Sequence, residues 1–291
     1  MASLTHEGQQ IAYTVYGDGP RVTVLLPGLL LSQRMQEPLA RALAARGERV
    51  ILMDPLGHGR SDRPRDMWRY SMSTFGRQVI ALLDELEIEQ AVIGGTSLGA
   101  NVTLEVASAA PDRVRGMLLE MPVLDNALLG AAIAFTPLLV ALTFGEPVMK
   151  GVQAVARRVP RRPLPLVAEI LVDWVSQDPG PSAAVLQGLF FGRIAPHRTE
   201  RHTFEAPALV IGHRRDPVHP FSDAGMLAAE LPNGRLLNAD SILELRTRPE
   251  RLTDEIAAFV DDCWTTRTAS SARRRVARSR AARSRSRTAT A

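Results

Sequence analysis

The sequence of 291 residues has one cysteine, Cys263, and one lysine, Lys150. A single cysteine excludes an internal disulfide and any cysteine-rich zinc site. The first ten residues contain neither a basic segment nor an apolar run, so no secretory signal is predicted there. Together these absences predict a cytoplasmic protein.

Acidic residues are missing from the end of the chain. Residues 265–291 hold nine Arg and no Asp or Glu. Without these nine, the 35 basic residues of the chain leave 26 in residues 1–264, against 31 acidic residues, which gives that part a net charge of about −5. The tail lacks apolar periodicity and is predicted to be disordered. Its arginines predict either a plain solvated extension or weak attraction to an anionic partner or membrane surface. No aromatic residue lies among them, which argues against specific nucleic-acid binding.

Short apolar runs alternate with helical patterns along the rest of the chain, and this alternation predicts an α/β fold with a mostly parallel sheet. The apolar runs are 22–27, 49–54, 91–96, 114–121, 208–212 and 235–239. The helical patterns are 34–46, 73–87, 98–109, 222–231 and 249–263. Residues 9–19 alternate and then turn at Gly17-Asp18-Gly19, which predicts an antiparallel hairpin at the edge of the sheet.

The alternation stops between residues 125 and 200, where the sequence is apolar and helical without a clear strand. We predict a core formed by residues 1–124 and 201–264, with 125–200 inserted as a helical cap. Residues 127–144 carry no charge and are expected to form two short helices broken at Pro137. Their apolar character suits a pocket wall or a surface that docks on lipid; a membrane span inside this fold is disfavoured.

Gly95-Thr96-Ser97-Leu98-Gly99 is a G-x-S-x-G motif between a predicted strand and a predicted helix. In that position a sharp turn lifts the serine hydroxyl above the sheet at the start of the helix. The Leu98 N–H and the helix dipole favour an anion forming there. Ser97 is therefore the predicted nucleophile; a glycine-rich turn without chemistry is the alternative.

Two further motifs follow strands. Pro27-Gly28-Leu29 comes after the first central strand, where the Leu29 N–H is expected to be the second oxyanion donor. Gly212-His213-Arg214-Arg215-Asp216-Pro217-Val218-His219-Pro220 follows a later strand, and Asp216 is the predicted acid that orients a catalytic imidazolium. A cap or an ion pair with a neighbouring arginine is the alternative role for Asp216.

These motifs, with Asp54-Pro55-Leu56-Gly57-His58-Gly59-Arg60-Ser61, resemble the α/β-hydrolase superfamily, in its esterase and non-haem haloperoxidase-like branch, over about residues 9–262. The resemblance implies a sheet of about eight strands, a variable cap and a Ser-acid-His triad without a cofactor. Pro27 replaces the histidine that usually ends the oxyanion strand, and the donor there is a backbone N–H in either case.

The sequence departs from the family at the catalytic histidine, which usually follows the last strand. Asp240-Ser241 stand at that place, and no histidine occurs after His219. Serine is a poor nucleophile without a base. The candidates for a displaced base are His219 and His58, with Asp240 or Glu244 as carboxylate substitutes. If the missing histidine belongs at Ser241, Ser241→His is expected to raise hydrolysis of short p-nitrophenyl esters.

Two functions remain open. One is a serine hydrolase that acts on an ester, lactone or thioester of a small apolar substrate. The other is a degenerate hydrolase that has lost turnover and serves as a ligand-binding or interaction protein. No cofactor is expected, and no metal site, because His197 and His202 lack an acidic companion at ligand spacing.

Overall fold

The computed structural model of the chain describes residues 2–160, 164–216 and 218–265. The predicted disordered tail lies outside these residues, except for Thr265, which is the last residue of the C-terminal helix rather than part of a tail.

Eight strands form one sheet in the order β1-β2-β4-β3-β5-β6-β7-β8. The strands are β1 Ala2–His6, β2 Gln9–Tyr16, β3 Val22–Leu26, β4 Arg49–Met53, β5 Ala91–Thr96, β6 Val114–Glu120, β7 Ala208–Gly212 and β8 Gly234–Asn238. β2 runs antiparallel to both β1 and β4, and the pairs from β4 to β8 are parallel. The predicted mostly parallel sheet of about eight strands is confirmed.

Helices connect the strands. They are α1 Glu37–Ala44, α2 Met72–Glu85, α3 Leu98–Ala109, α4 Leu128–Phe144, α5 Glu146–Ala156, α6 Leu166–Val175, α7 Pro179–Phe191, α8 Arg198–Arg201, α9 Phe221–Glu230, α10 Glu244–Thr247 and α11 Glu250–Thr265. Short 3-10 turns lie at Gln33–Gln36, Met67–Arg69, Pro111–Arg113 and Asp125–Ala127.

The central strands are hydrophobic on both faces because helices cover both. The core on one face contains side chains of α2, α3 and α9, and the core on the other face contains those of α1 and α11. At the second face α11 approaches β6 so closely that a Cβ on Gly116 would lie 2.4 Å from the Cys263 sulfur. Burial also raises the pKa of the Cys263 thiol to about 12, so this cysteine is a packing residue.

The N-terminal hairpin differs from the prediction. Its turn is at Glu7-Gly8, where both residues have positive φ, and its first strand is β1, which the sequence pattern did not reveal. The stretch at Gly17-Asp18-Gly19 instead leads from β2 into β3. Gly19 lies where a Cβ would be 1.8 Å from the Gly47 carbonyl oxygen, so a close approach of backbones explains the glycine there.

The expected break at Pro137 is also absent, because α4 continues through this proline. Proline removes the hydrogen bond to the carbonyl four residues earlier, which here belongs to Ile133. Both residues are exposed, so water can satisfy that carbonyl and one helix persists.

Between β6 and β7 the described residues form helices and turns without a strand. Two buried polar side chains of the core hold the start of this segment. Asn101 of α3 donates to the Val123 and Ile194 carbonyls at 2.7 and 2.8 Å. Asp223 of α9 accepts the Leu124 N–H at 2.9 Å. The helical segment therefore leaves and rejoins the sheet beside α3.

No single helix among the described residues has the length and apolarity to cross a membrane. One pair of helices, Gly130–Phe144 and Glu146–Ala156, meets those criteria jointly, but the two are bent by 99°.

Candidate active site

Ser97 stands at the sharp turn between β5 and α3. Its backbone has φ 54° and ψ −108°, a combination that costs a non-glycine residue roughly 1–3 kcal/mol and that persists only where the surroundings enforce it. The Ser97 N–H donates to the Glu120 carbonyl of β6 at 2.8 Å, and the Ser97 carbonyl accepts the Asn101 N–H at 3.1 Å. These bonds hold the strained turn, and the side chain is partly exposed rather than inside the core.

Glycine two residues after the serine lets the elbow close against β3. A Cβ on Gly99 would lie 2.7 Å from the Leu26 carbonyl oxygen and 2.9 Å from that of Pro27. Both distances are shorter than real Cβ contacts, so any larger residue would push the start of α3 away from the loop that holds Leu29.

His219 is the histidine that contacts the serine. Its Nε2 lies 2.9 Å from Ser97 Oγ, and its Nδ1 lies 2.9 Å from Asp216 Oδ2. A proton on Nδ1 is donated to the carboxylate, and the Nε2 lone pair then faces the serine hydroxyl. The chain of contacts is the one that activates a serine in hydrolases.

The acid and the base lie on the same turn after β7. Asp216 Oδ1 accepts the backbone N–H groups of Val218 and His219 at 2.8 and 2.9 Å, and its side chain is 3% exposed. Burial raises the pKa of the Asp216 carboxyl, but the hydrogen bonds from His219 and Val218 outweigh it, and the pKa is lower than usual. The carboxylate is therefore ionised at neutral pH and shapes the turn that carries the imidazole.

Of the two candidate bases named from the sequence, His219 is thus the one that contacts Ser97. From the sequence it was only one candidate among several, because acid and base in the resembled family usually follow two different strands. The signal that could have found it is Asp-x-x-His directly after a strand. An aspartate accepts N–H groups two and three residues on, so it can bring a histidine at the third position back to its own carboxylate.

The loop that carries the catalytic histidine in the resembled family has other contacts here. Glu244 binds Arg251 at 2.9 Å through each oxygen and accepts the Asp240 N–H. Burial raises its pKa, but these bonds outweigh burial and the pKa is lowered. The Asp240 carbonyl lies 3.0 Å from His213 Nε2. These contacts hold the loop after β8, and the contact to Ser97 comes from His219 on the turn after β7.

His58, the other predicted candidate base, is completely buried away from Ser97. Its Nδ1 lies 3.0 Å from the Leu56 carbonyl oxygen, and its ring packs edge-on against Phe75. Burial lowers the pKa of His58 to about 4. It is a neutral core residue. His197 caps α8, and His202 Nδ1 lies 2.9 Å from the Glu230 carbonyl oxygen.

An apolar cavity of about 240 Å³ opens beside the Ser97 hydroxyl. Leu29 and Leu98 line it, and α4 and α7, which lie between β6 and β7, supply further walls. The wall residues include Ala131, Ala132, Phe135, Leu186, Leu189 and Phe190. Leu98 is the first residue of α3, so its N–H has no partner within the helix. The predicted oxyanion donors thus belong to residues that line the same cavity as the nucleophile.

A buried polar network lies directly behind the elbow, and sequence reasoning missed it. Arg246 Nη2 donates to Thr96 Oγ1 at 2.7 Å and to Glu120 Oε2 at 2.9 Å. The Arg246 and Glu120 side chains are 4% and 5% exposed. Gln36 donates to Thr96 Oγ1 at 2.9 Å. Thr96 directly precedes Ser97, and the Glu120 carbonyl accepts the Ser97 N–H. The network therefore fixes the ends of β5 and β6 beside the nucleophile.

No group of three or more His, Cys, Asp or Glu able to hold a metal ion occurs in the described ranges. The residues around Ser97 supply instead a hydroxyl, an imidazole, a carboxylate and backbone donors. That set can transfer an acyl group to a hydroxyl and then to water.

Comparisons with known proteins agree with this architecture. The family model for the alpha/beta hydrolase fold matches residues 22–163. The chain is 35% identical over 105 residues to 2-hydroxymuconate semialdehyde hydrolase of Pseudomonas sp. (strain CF600), which covers 36% of this chain but only 34% of that protein. It is 28% identical over 280 residues to an uncharacterized protein of Mycobacterium tuberculosis (strain ATCC 25618 / H37Rv), covering 88% of this chain and 80% of that one.

Solved structures give the same fold over nearly the whole chain. The enol-lactonase from Burkholderia xenovorans LB400 superposes with a TM-score of 0.74 at 23% identity, covering 89% of this chain and all (100%) of that one. A hydrolase from Pseudomonas aeruginosa PA01 gives 0.72 at 23% identity, covering 89% and 97%. At these identities the likeness concerns the fold alone. The family match over part of the chain, the eight-stranded sheet and the serine elbow agree, and the chain has the α/β-hydrolase fold.

Proposed function

We propose that this protein is a serine hydrolase that cleaves an ester, lactone or thioester of an apolar acyl compound. The observation that carries the proposal is the continuous line of contacts from Asp216 through His219 to Ser97, with both distances at 2.9 Å. The strained backbone of Ser97 supports it, because such conformations cluster at active sites.

In the first half-reaction the Ser97 oxygen attacks the substrate carbonyl carbon while His219 Nε2 takes the hydroxyl proton. The tetrahedral oxyanion accepts hydrogen bonds from the Leu29 and Leu98 N–H groups. The bond to the leaving group breaks, and the imidazolium returns the proton to the departing alcohol or thiol. Asp216 remains ionised throughout and stabilises the imidazolium.

In the second half-reaction water replaces the leaving group. His219 removes a proton from the water, and the resulting hydroxide attacks the acyl carbonyl carbon. The intermediate collapses with the Ser97 oxygen as leaving group, which takes back the proton from Nε2. The products are a carboxylic acid and free enzyme, and no cofactor takes part in any step.

The substrate class follows from the cavity. Its walls are almost entirely hydrocarbon side chains, and such walls favour an apolar acyl group over a charged one because a buried charge without a partner is costly. The alternative of a non-catalytic binding protein rested on the apparent lack of a base for Ser97, and the contact from His219 takes away that reason for it.

The test is hydrolysis of p-nitrophenyl esters of rising acyl length by the wild-type chain, with Ser97→Ala as the matched control. We expect turnover that depends on Ser97 and that rises with acyl length until the cavity is filled. Hydrolysis that survives in Ser97→Ala, or none with any ester, lactone or thioester, would overturn the proposal.

A further inference from the structure

The cap exposes large apolar side chains to an unusual degree. Of the 14 large hydrophobic residues that are exposed in the described chain, nine lie in α4 to α7. Scattered exposed apolar residues are ordinary, whereas a concentration of them marks an interaction surface. The concentration on one inserted segment therefore needs a partner.

Six of these residues share α4 and α5, and we call them the cap face: Ile133, Val140, Phe144, Val148, Val152 and Val155. On α4 the spacings of seven and four place its three members on one side of the helix. On α5 the spacings of four and three do the same. Phe144 is 82% exposed and Val148 71%, and they stand on either side of the 99° bend between the helices.

The opposite side of α4 lines the cavity beside Ser97 through Ala131, Ala132 and Phe135. The helix is thus apolar towards the cavity and apolar towards the outside. A soluble enzyme with a water-borne substrate has no need of the outer half. The arrangement suits a helix that touches an apolar phase on one side and admits substrate to the cavity on the other.

The charge of this segment distinguishes between a second copy of the chain and a lipid surface as the partner of the cap face. From Leu128 to Pro160 the chain carries three cations, Lys150, Arg157 and Arg158, against one acid, Glu146. All three cations are exposed. Lys150 pairs with Glu146 at 2.9 Å, so the segment keeps a net charge of +2 from Arg157 and Arg158. A second copy of the chain would bring the same cations towards each other, whereas an anionic layer would attract them.

We propose that the cap face docks on an anionic phospholipid bilayer. The nine arginines of residues 265–291, unopposed by any acid, add attraction to the same headgroups. The docking surface implies a route for the substrate, and this part rests on the proposed function: the apolar ester reaches Ser97 from the lipid phase rather than from water.

The test is flotation of the full chain with vesicles of phosphatidylcholine and phosphatidylglycerol in equal amounts, and with vesicles of phosphatidylcholine alone. We expect binding to the first and weak binding to the second. Phe144→Asp/Val148→Asp should lower the partition coefficient by about tenfold for each apolar side chain lost. Arg157→Gln/Arg158→Gln should lower it by about fivefold per residue on the anionic vesicles.

Two controls make the result specific. Leu236→Asp introduces one aspartate, half the charge of the double variant, at a 39% exposed position on β8 outside the cap, and should leave binding unchanged. A chain with all nine tail arginines changed to Gln separates the tail from the cap. If that chain loses all binding while the Phe144→Asp/Val148→Asp variant keeps it, the tail alone binds lipid and the cap-face proposal is wrong.

Other outcomes are equally decisive. A dimer in light scattering that Phe144→Asp/Val148→Asp converts to a monomer would mean that a second copy covers the cap face. If the wild-type chain binds vesicles but shows no hydrolysis that depends on Ser97, the docking proposal is supported and the proposed function is wrong. Hydrolysis of soluble esters without vesicle binding would do the reverse.

Discussion

Replacing His219 with alanine tests whether the turn after β7 supplies the catalytic base. His219 lies between Ser97 Oγ and Asp216 Oδ2 at 2.9 Å from each, so the substitution removes both contacts. The fold should survive, because Asp216 Oδ1 accepts backbone N–H groups that alanine retains. We therefore expect a loss of turnover without a loss of structure.

The expected size of the loss follows from the role of the imidazole in both half-reactions. Removing one member of a catalytic triad lowers kcat by about 10⁴ to 10⁶-fold, or about 5 to 8 kcal/mol in the activation free energy. Asp216→Asn should cost about 10⁴-fold. Its amide would donate to His219 Nδ1, and the ring proton would then sit on Nε2, facing the nucleophile.

The assay is steady-state hydrolysis of a p-nitrophenyl ester, with circular dichroism to check folding. The matched control is His213→Ala, since His213 lies on the same loop and its Nε2 contacts the Asp240 carbonyl oxygen. The control should keep kcat within about threefold, the range of effects away from the chemistry. If His219→Ala retains more than a few per cent of wild-type kcat, His219 is not the base.

Three other predictions follow from the same geometry. Ser241→His should leave ester hydrolysis unchanged, opposite to the expectation from sequence, because His219 already contacts Ser97; a large rise in kcat would return the base to the loop after β8. Arg246→Met leaves Glu120 buried without its arginine partner and should lower the free energy of unfolding by about 3–5 kcal/mol in a urea titration. A change below about 1 kcal/mol would mean that the network does not stabilise the fold. Burial lowers the pKa of His58 to about 4 in the folded chain, against an ordinary value of 6.5. The unfolded chain therefore binds the proton more tightly, and stability falls as pH drops below about 6.5, by about 2 kcal/mol at about pH 5 relative to His58→Gln; parallel pH profiles of the two chains would contradict this.

Much of the fold could be predicted from the sequence because it depends on local pattern. Strands buried on both faces appear as continuous apolar runs, and β5 and β7 have the bounds that the runs indicate. The helix α3 likewise begins and ends where predicted. The strand β1 escaped notice because its burial alternates weakly, with only Leu4 buried.

The nucleophile of the candidate site could be predicted because its motif is local, whereas the sequence offered several candidate bases, His219 among them, without deciding between them. Whether an imidazole three residues after Asp216 meets Ser97 depends on the φ and ψ angles of one turn. Sequence spacing does not encode those angles. The pairing of Arg246 with Glu120, 126 residues apart, depends on the tertiary fold in the same way, and neither residue belongs to a recognisable motif.

The most direct measurement of the central claim is covalent labelling of the full chain by a fluorophosphonate, with the modified residue identified by mass spectrometry. An activated serine reacts with this electrophile, whereas an ordinary surface serine does not. The account predicts rapid, stoichiometric labelling of Ser97 that is abolished in Ser97→Ala and strongly slowed in His219→Ala. Labelling of another residue, or equal rates for wild type and His219→Ala, would contradict it.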